Sequence, residues 1–135
     1  MDIAHFDDLL RAARAQPQPQ RLLLVFAAAT LPDGASAAQR AAFEAGEGGE
    51  LAPLMCVDKD PAEWADFDAL RREAAQAGGD GWVIVFASTL SGAGDQPPAA
   101  AQVDAALDRM VEQVRLGQIG GFIPFDRSGR AVRLG

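Results

Sequence analysis

The run Leu22-Leu23-Leu24-Val25-Phe26-Ala27-Ala28-Ala29 constrains this chain more than any other feature. Apolar and polar residues do not alternate in it, so whatever it forms has no face to give to water. It is also short. Gln16-Pro17-Gln18-Pro19-Gln20 precedes it and Leu31-Pro32-Asp33-Gly34 follows it, and both are helix-breaking or turn sequences. A short run that is apolar on both sides reads as a central β-strand in a covered sheet, from Arg21 to Thr30. A buried helix is the alternative. A central strand of this kind lies within a covered sheet, with helices on one or both faces. With 135 residues, 49% of them apolar, the chain can build one such core.

The flanking segments supply candidates for those layers. Ile3, Phe6, Leu9, Leu10 and Ala13 recur at helical spacing over residues 2–15, with Asp2 as the expected cap. Ser36 to Ala45 reads as a short helix capped by Ser36, and Gly46-Glu47-Gly48-Gly49 as a loop. Leu51 to Val57 is a second strand, interrupted early by Pro53. Asp60-Pro61-Ala62-Glu63 has capping-box spacing and opens a helix running to about Ala77, with Trp64, Phe67, Leu70 and Ala74 on one face. Trp82 to Leu90 is a strand. Ala99 to Leu116 is the longest helix, with Val103, Leu107, Met110, Val111 and Val114 as its apolar stripe. Ile119 to Phe125 and Ala131 to Leu134 form a hairpin about the turn Asp126-Arg127-Ser128-Gly129, and Pro124 demotes it to a sheet edge or a bulge.

The order of elements repeats. Ile3–Ala13 aligns with Trp64–Ala74 at six identical pairs of eleven. Val25-Phe26-Ala27 then aligns with Val85-Phe86-Ala87, and Thr30 with Thr89. Leu54-Met55-Cys56-Val57-Asp58-Lys59 aligns with Phe122-Ile123-Pro124-Phe125-Asp126-Arg127. These matches indicate duplication of a unit of about 60 residues. The expected fold is α/β, one domain over 1–135 made of two αβαβ repeats (2–60 and 61–128) with a C-terminal hairpin strand (129–135). Pseudo-twofold symmetry and a four- to five-stranded mixed sheet packed with helices follow.

Composition excludes much chemistry. Nineteen acids against twelve bases give a net charge of −7, which disfavours nucleic acid and anionic membranes as partners. One Cys, one His and no Tyr leave almost nothing for nucleophilic, redox or metal chemistry. Cys56, in an apolar strand, reads as a small buried hydrophobe. His5 reads as a surface or cap-region residue. The Gly/Pro loop Ser91–Pro98 lacks a phosphate-loop pattern. No catalytic residue, metal ligand or cofactor is assigned. If the strands were parallel, a ligand would sit beyond their carboxyl ends. The candidate binding residues there are Thr30, Asp58, Lys59, Ser88, Thr89, Ser91, Asp126 and Arg127. Arg127, Arg130 and Arg133 also leave the C-terminal segment basic and able to meet an acidic face of a second copy.

Phe6–Ala13, Leu23–Ala29, Pro53–Lys59 and the Gly-rich Phe43-Glu44-Ala45-Gly46-Glu47-Gly48-Gly49 together resemble a family of small proteobacterial proteins. Some of its members carry the automatic label "ribonucleotide reductase subunit alpha". The resemblance runs over nearly the whole chain, but its motifs imply no catalytic role. The label itself is incompatible with this composition. Such a subunit needs several cysteines and a barrel far longer than this chain, which has Cys56 alone.

Two functional expectations follow. The first is a non-enzymatic binding or interaction module, a homodimer or the partner of another protein, in a bacterial cytoplasm that keeps the thiol reduced. No basic segment with a following apolar stretch marks a secretory signal. The alternative is a protein binding a small or nucleotide-derived molecule, or a small enzyme, with its site at the strand C-terminal ends.

Overall fold

The computed structural model describes residues 3–31, 33–45, 50–78 and 81–134. The two-sided apolar run is strand β1, Gln20–Thr30, at the middle of a four-stranded sheet. Its side chains alternate between two cores. Leu22, Leu24 and Phe26 enter one, and Leu23, Val25 and Ala27 enter the other. β2, Glu50–Lys59, lies on one side of it and β3, Ile84–Ser91, on the other. β4, Ile123–Phe125, closes the order β2-β1-β3-β4.

Every pairing is antiparallel, which corrects the mixed sheet expected from the sequence. The physical reason is the placement of β1. β2 and β3 run parallel to each other, but β1 lies between them, so no parallel ladder forms.

Helices cover both faces. α1, Phe6–Arg14, and α3, Phe67–Gln76, pack on the first face, and α4, Ala100–Arg115, on the second. α2, Ala37–Glu44, buries none of its residues, although Ser36 caps it as the sequence predicts. The first core is aromatic. Phe6 meets Phe125 at 5.4 Å, Phe67 at 5.7 Å and Trp64 at 6.3 Å between ring centroids. Trp82 stands edge-on to Phe26 at 5.2 Å. Such tilted and edge-to-face pairs add to the burial of each ring.

Local structure departs from expectation at three places. The cap of α1 is His5: Nδ1 accepts from the Asp7 backbone N–H at 3.0 Å, and the Asp8 carboxylate answers to the His5 N–H. Asp2, the expected cap, lies outside the described residues, as do Pro32 and the Gly46–Gly49 loop. The helix expected from Pro61 to Ala77 is two pieces, a 3-10 turn over Pro61–Glu63 and then α3. Between them Trp64 is extended and Asp66 starts a new cap on Ala69. The break is held from α1. Arg14 donates to the Pro61 carbonyl at 3.0 Å and to the Trp64 carbonyl, and Asp7 accepts from the Phe67 N–H at 2.9 Å. Finally, the Ala131–Leu134 strand reduces to single bridges, Phe125 to Ala131 and His5 to Arg130.

Gly129 sits where the N-terminal segment meets the C-terminal turn. Its φ is +85°, and a Cβ there would stand 2.6 Å from His5 Nε2 and 2.9 Å from the Phe67 ring. Gly129→Ala should therefore destabilise the protein by about 1–3 kcal/mol, read as a lower denaturation midpoint in urea with an unchanged slope.

Candidate functional site

The antiparallel sheet decides where the eight candidate residues fall. Lys59 and Thr89 both pair with Leu22, Asp58 and Ser88 both pair with Leu23, and Ser91 pairs with Gln20. These five lie at one end of the sheet, across the start of β1. Thr30 pairs with Glu50 at the other end. Asp126 and Arg127 also lie towards that end, because they follow Phe125, which pairs with Val85 at the start of β3. The eight residues thus divide five and three between opposite ends. Carboxyl ends gather on one side only when strands are parallel, and here they alternate.

Faces divide them again. Opposed residues on neighbouring strands point to the same side. Lys59 and Thr89 share the face of Leu22, while Asp58 and Ser88 share that of Leu23.

At the first end the charged groups form a network. The Lys59 ammonium is 2.6 Å from Glu73 and 3.3 Å from Glu63, and lies 5.6 Å over the Trp64 ring. Trp64 Nε1 donates to the other oxygen of Glu73 at 2.6 Å. On the opposite face Arg21 pairs with Asp58 at 2.7 Å and reaches Glu63 at 4.0 Å. The hydrogen bond that Lys59 donates to Glu73 holds its ammonium above its ordinary pKa and holds the Glu73 carboxyl below its own. A lysine stabilised as a cation in this way is a poor nucleophile and a poor base. Ser91 is hydrogen-bonded to the buried side-chain amide of Gln20. Ser88 is half-buried and Thr89 exposed.

At the second end the residues shape the chain. Asp126 accepts from the Ser128 N–H at 2.8 Å, the Ser128 hydroxyl at 2.6 Å and the Arg130 N–H at 3.1 Å. Burial alone would raise its pKa, but these bonds outweigh burial and lower it. This is an Asx turn, and it fixes the C-terminal bend. Arg127 donates to the Trp82 carbonyl at 3.1 Å, with its guanidinium 4.6 Å over the Trp82 ring. Thr30 donates to the Glu50 carbonyl at 3.2 Å.

Other sequence expectations change as well. Cys56 is exposed on β2 rather than buried. Partial burial raises its pKa, and Asp108 and Asp58 add to that, so the thiol is held protonated, unlike a reactive cysteine. Of the acids from Asp58 to Asp68, Asp60 and Asp66 are helix caps. Among the described residues, no group of three His, Cys, Asp or Glu could hold a metal ion. The loop Ser91–Pro98 folds on itself through the Ala93–Gln96 bridge. Arg14, Arg21 and Glu73 escaped sequence reasoning because their partners are distant in the chain. Glu63 alone carried a local signal, its four-residue spacing from Lys59.

The Lys59–Glu73 pair has a defined pH signature. Glu73 has a lowered folded pKa, so its contribution is complete above the ordinary glutamate range and is lost as pH falls through the lowered value. Lys59 has a raised folded pKa, so its contribution is complete below the ordinary lysine range and is lost as pH rises through the raised value. Side-chain exposure of 20% and 43% keeps the effect modest. Glu73→Gln should cost less than about 1 kcal/mol at neutral pH, and urea titrations at a series of pH values should show the deficit vanishing in acid. Comparison with protein-family models, curated proteins and solved structures finds no match to this chain.

Proposed function

We propose that this chain is a non-enzymatic interaction module, a duplicated αβαβ unit that associates with a second copy of itself through β2. One observation carries the association. β2 is ten residues long, ends the sheet order and, among the described residues, has no strand on its outer side. Leu51 to Val57 contains no charged residue, and Leu54 is 47% exposed. An uncovered edge of this length is a template for another strand.

The occupant follows from the opposite edge. β4 is only three residues long, and beyond it the bridges Phe125–Ala131 and His5–Arg130 bring in the C-terminal turn and the N-terminal segment. Pairing β2 with its twin would leave the joined eight-stranded sheet without an open long edge. A two-fold contact of this kind closes at two copies. Pro53 has no N–H to give, and the register shifts beside it, so pairing would run over Leu54–Lys59.

Sheet register supports the duplication. Take an axis perpendicular to the sheet through the Val25–Phe86 pair. It exchanges β1 with β3, and it carries the Leu24–Ala87 pair onto the Phe26–Val85 pair. Leu24, Val25 and Phe26 then correspond to Val85, Phe86 and Ala87, each on the same face as its counterpart. Cys56, paired with Val25, corresponds to Pro124, paired with Phe86, as the sequence alignment has it. Phe6, Leu9 and Ala13 correspond to Phe67, Leu70 and Ala74 in one core. The faces move the strand alignment by one residue, placing Val25 against Phe86 rather than Val85.

Light scattering on the full chain at tens of micromolar should give twice the chain mass. Leu54→Lys should give the monomer mass with an unchanged circular dichroism spectrum. A wild-type chain that stays strictly monomeric would overturn the reading.

A further inference from the structure

Successive residues of an antiparallel strand direct their backbone N–H and C=O groups to alternate sides. Two hydrogen bonds set the phase of this alternation here. The Gly92 N–H donates to the Pro19 carbonyl at 2.8 Å, and the Val83 N–H to the Ala27 carbonyl at 2.8 Å. Odd-numbered residues of β1 therefore face β3, and even-numbered residues face β2. Leu22, Leu24 and Phe26 lie opposite Lys59, Val57 and Met55, so these three β2 residues turn their backbone groups inward. Cys56 and Asp58, which alternate with them, turn theirs to the open edge. Pro53 fits the same phase. It lies opposite Ala27, whose carbonyl is taken by Val83, so the missing proline N–H costs no bond of the ladder.

We infer that two copies pair antiparallel across this edge with Val57 on the two-fold axis, opposite Val57 of the second copy. This register rests on the association through β2 proposed above. An antiparallel ladder joins outward-facing residues only to outward-facing residues, so a symmetric pairing must centre on a residue and never between two. Centred on Val57, Cys56 of each copy lies opposite Asp58 of the other, and both pairs exchange their two hydrogen bonds. Centred on Cys56, the only such pair among residues of fixed direction is Cys56 with itself. Centred on Met55, there is none, because Leu54 lies in the register shift.

The prolines agree with this centre. Pro53 and Pro61 each stand four residues from Val57. The register sets Pro53 of one copy opposite Pro61 of the other, so residues without an N–H bound the ladder at both ends. Asp58 brings no unpaired charge to the contact, since Arg21 holds its carboxylate at 2.7 Å. Val57 packs against the first core, and its contact with its twin continues that apolar layer from one copy to the next. An axis perpendicular to the sheet also keeps α1 and α3 of both copies on one face and α4 of both on the other.

Cross-linking of the full chain reads the register. Directly opposed residues of a non-hydrogen-bonded pair have Cα atoms about 4.5 Å apart, within disulfide range. Diagonal neighbours, as the two Cys56 residues would be, are about 7–8 Å apart and beyond it. The oxidant is copper–phenanthroline with dissolved oxygen, which takes two electrons and two protons from each thiol pair. Cys56→Ser/Val57→Cys should give a disulfide-linked dimer on a non-reducing gel, and the unsubstituted chain, whose one thiol is Cys56, should not. Light scattering on the same samples separates the two readings. A dimer that cross-links through Cys56, or through neither thiol, overturns the Val57 register and leaves the association standing, whereas a monomer overturns both. Amide exchange on the unsubstituted chain tests the register without substitution. On dilution the Cys56 and Asp58 amides should lose protection, while those of Met55, Val57 and Lys59, bonded to β1, keep theirs. An Asp58 amide indifferent to dilution of the dimer would overturn the register.

Discussion

Burial of β1 on both faces is the constraint from which the rest of the structure follows. Six consecutive side chains, Leu22 to Ala27, are almost wholly removed from water. The strand's backbone must then find hydrogen bonds on both edges, which β2 and β3 provide, because an unpaired buried peptide group costs as much as a lost hydrogen bond. Its two faces must also be covered, which α1 with α3 and α4 accomplish. β2 and β3 both run antiparallel to β1, and that single fact divides the polar strand ends between two sides of the molecule.

The consequence for function is direct. Lys59 and Arg127 are each held over a tryptophan, at opposite ends of the sheet. Lys59 lies between two glutamates, and Arg127 is bonded to the Trp82 carbonyl. Glu73, on α3, reaches Lys59.

Polar residues elsewhere serve the fold. His5, Ser36, Asp60 and Asp66 cap helical segments, Asp126 builds a turn, and Arg14 fixes the break before α3. These side chains satisfy backbone groups that a helix or turn would otherwise leave bare. Much of the acidic charge is therefore at helix starts, where the helix dipole favours it. Among the described residues, the outer edge of β2 has no strand beside it.

The sequence by itself determined most of the elements and the core stripes of the helices. Periodicity, caps and glycines lie within a few residues of one another, so the alternation of helix and strand, the core stripes of α1, α3 and α4, and the edge position of the Pro124 strand were all legible. It missed the break at Trp64–Asp66, because that break is held by Arg14 and Asp7, some fifty residues away. It took Cys56 for a core residue, because an apolar strand looks the same whether central or at an edge. Strand order, direction and the company of each charged side chain were decided only by tertiary structure. They depend on contacts between residues far apart in the chain, for which local sequence carries no record. That is why eight candidate residues that read as one site fall at two ends.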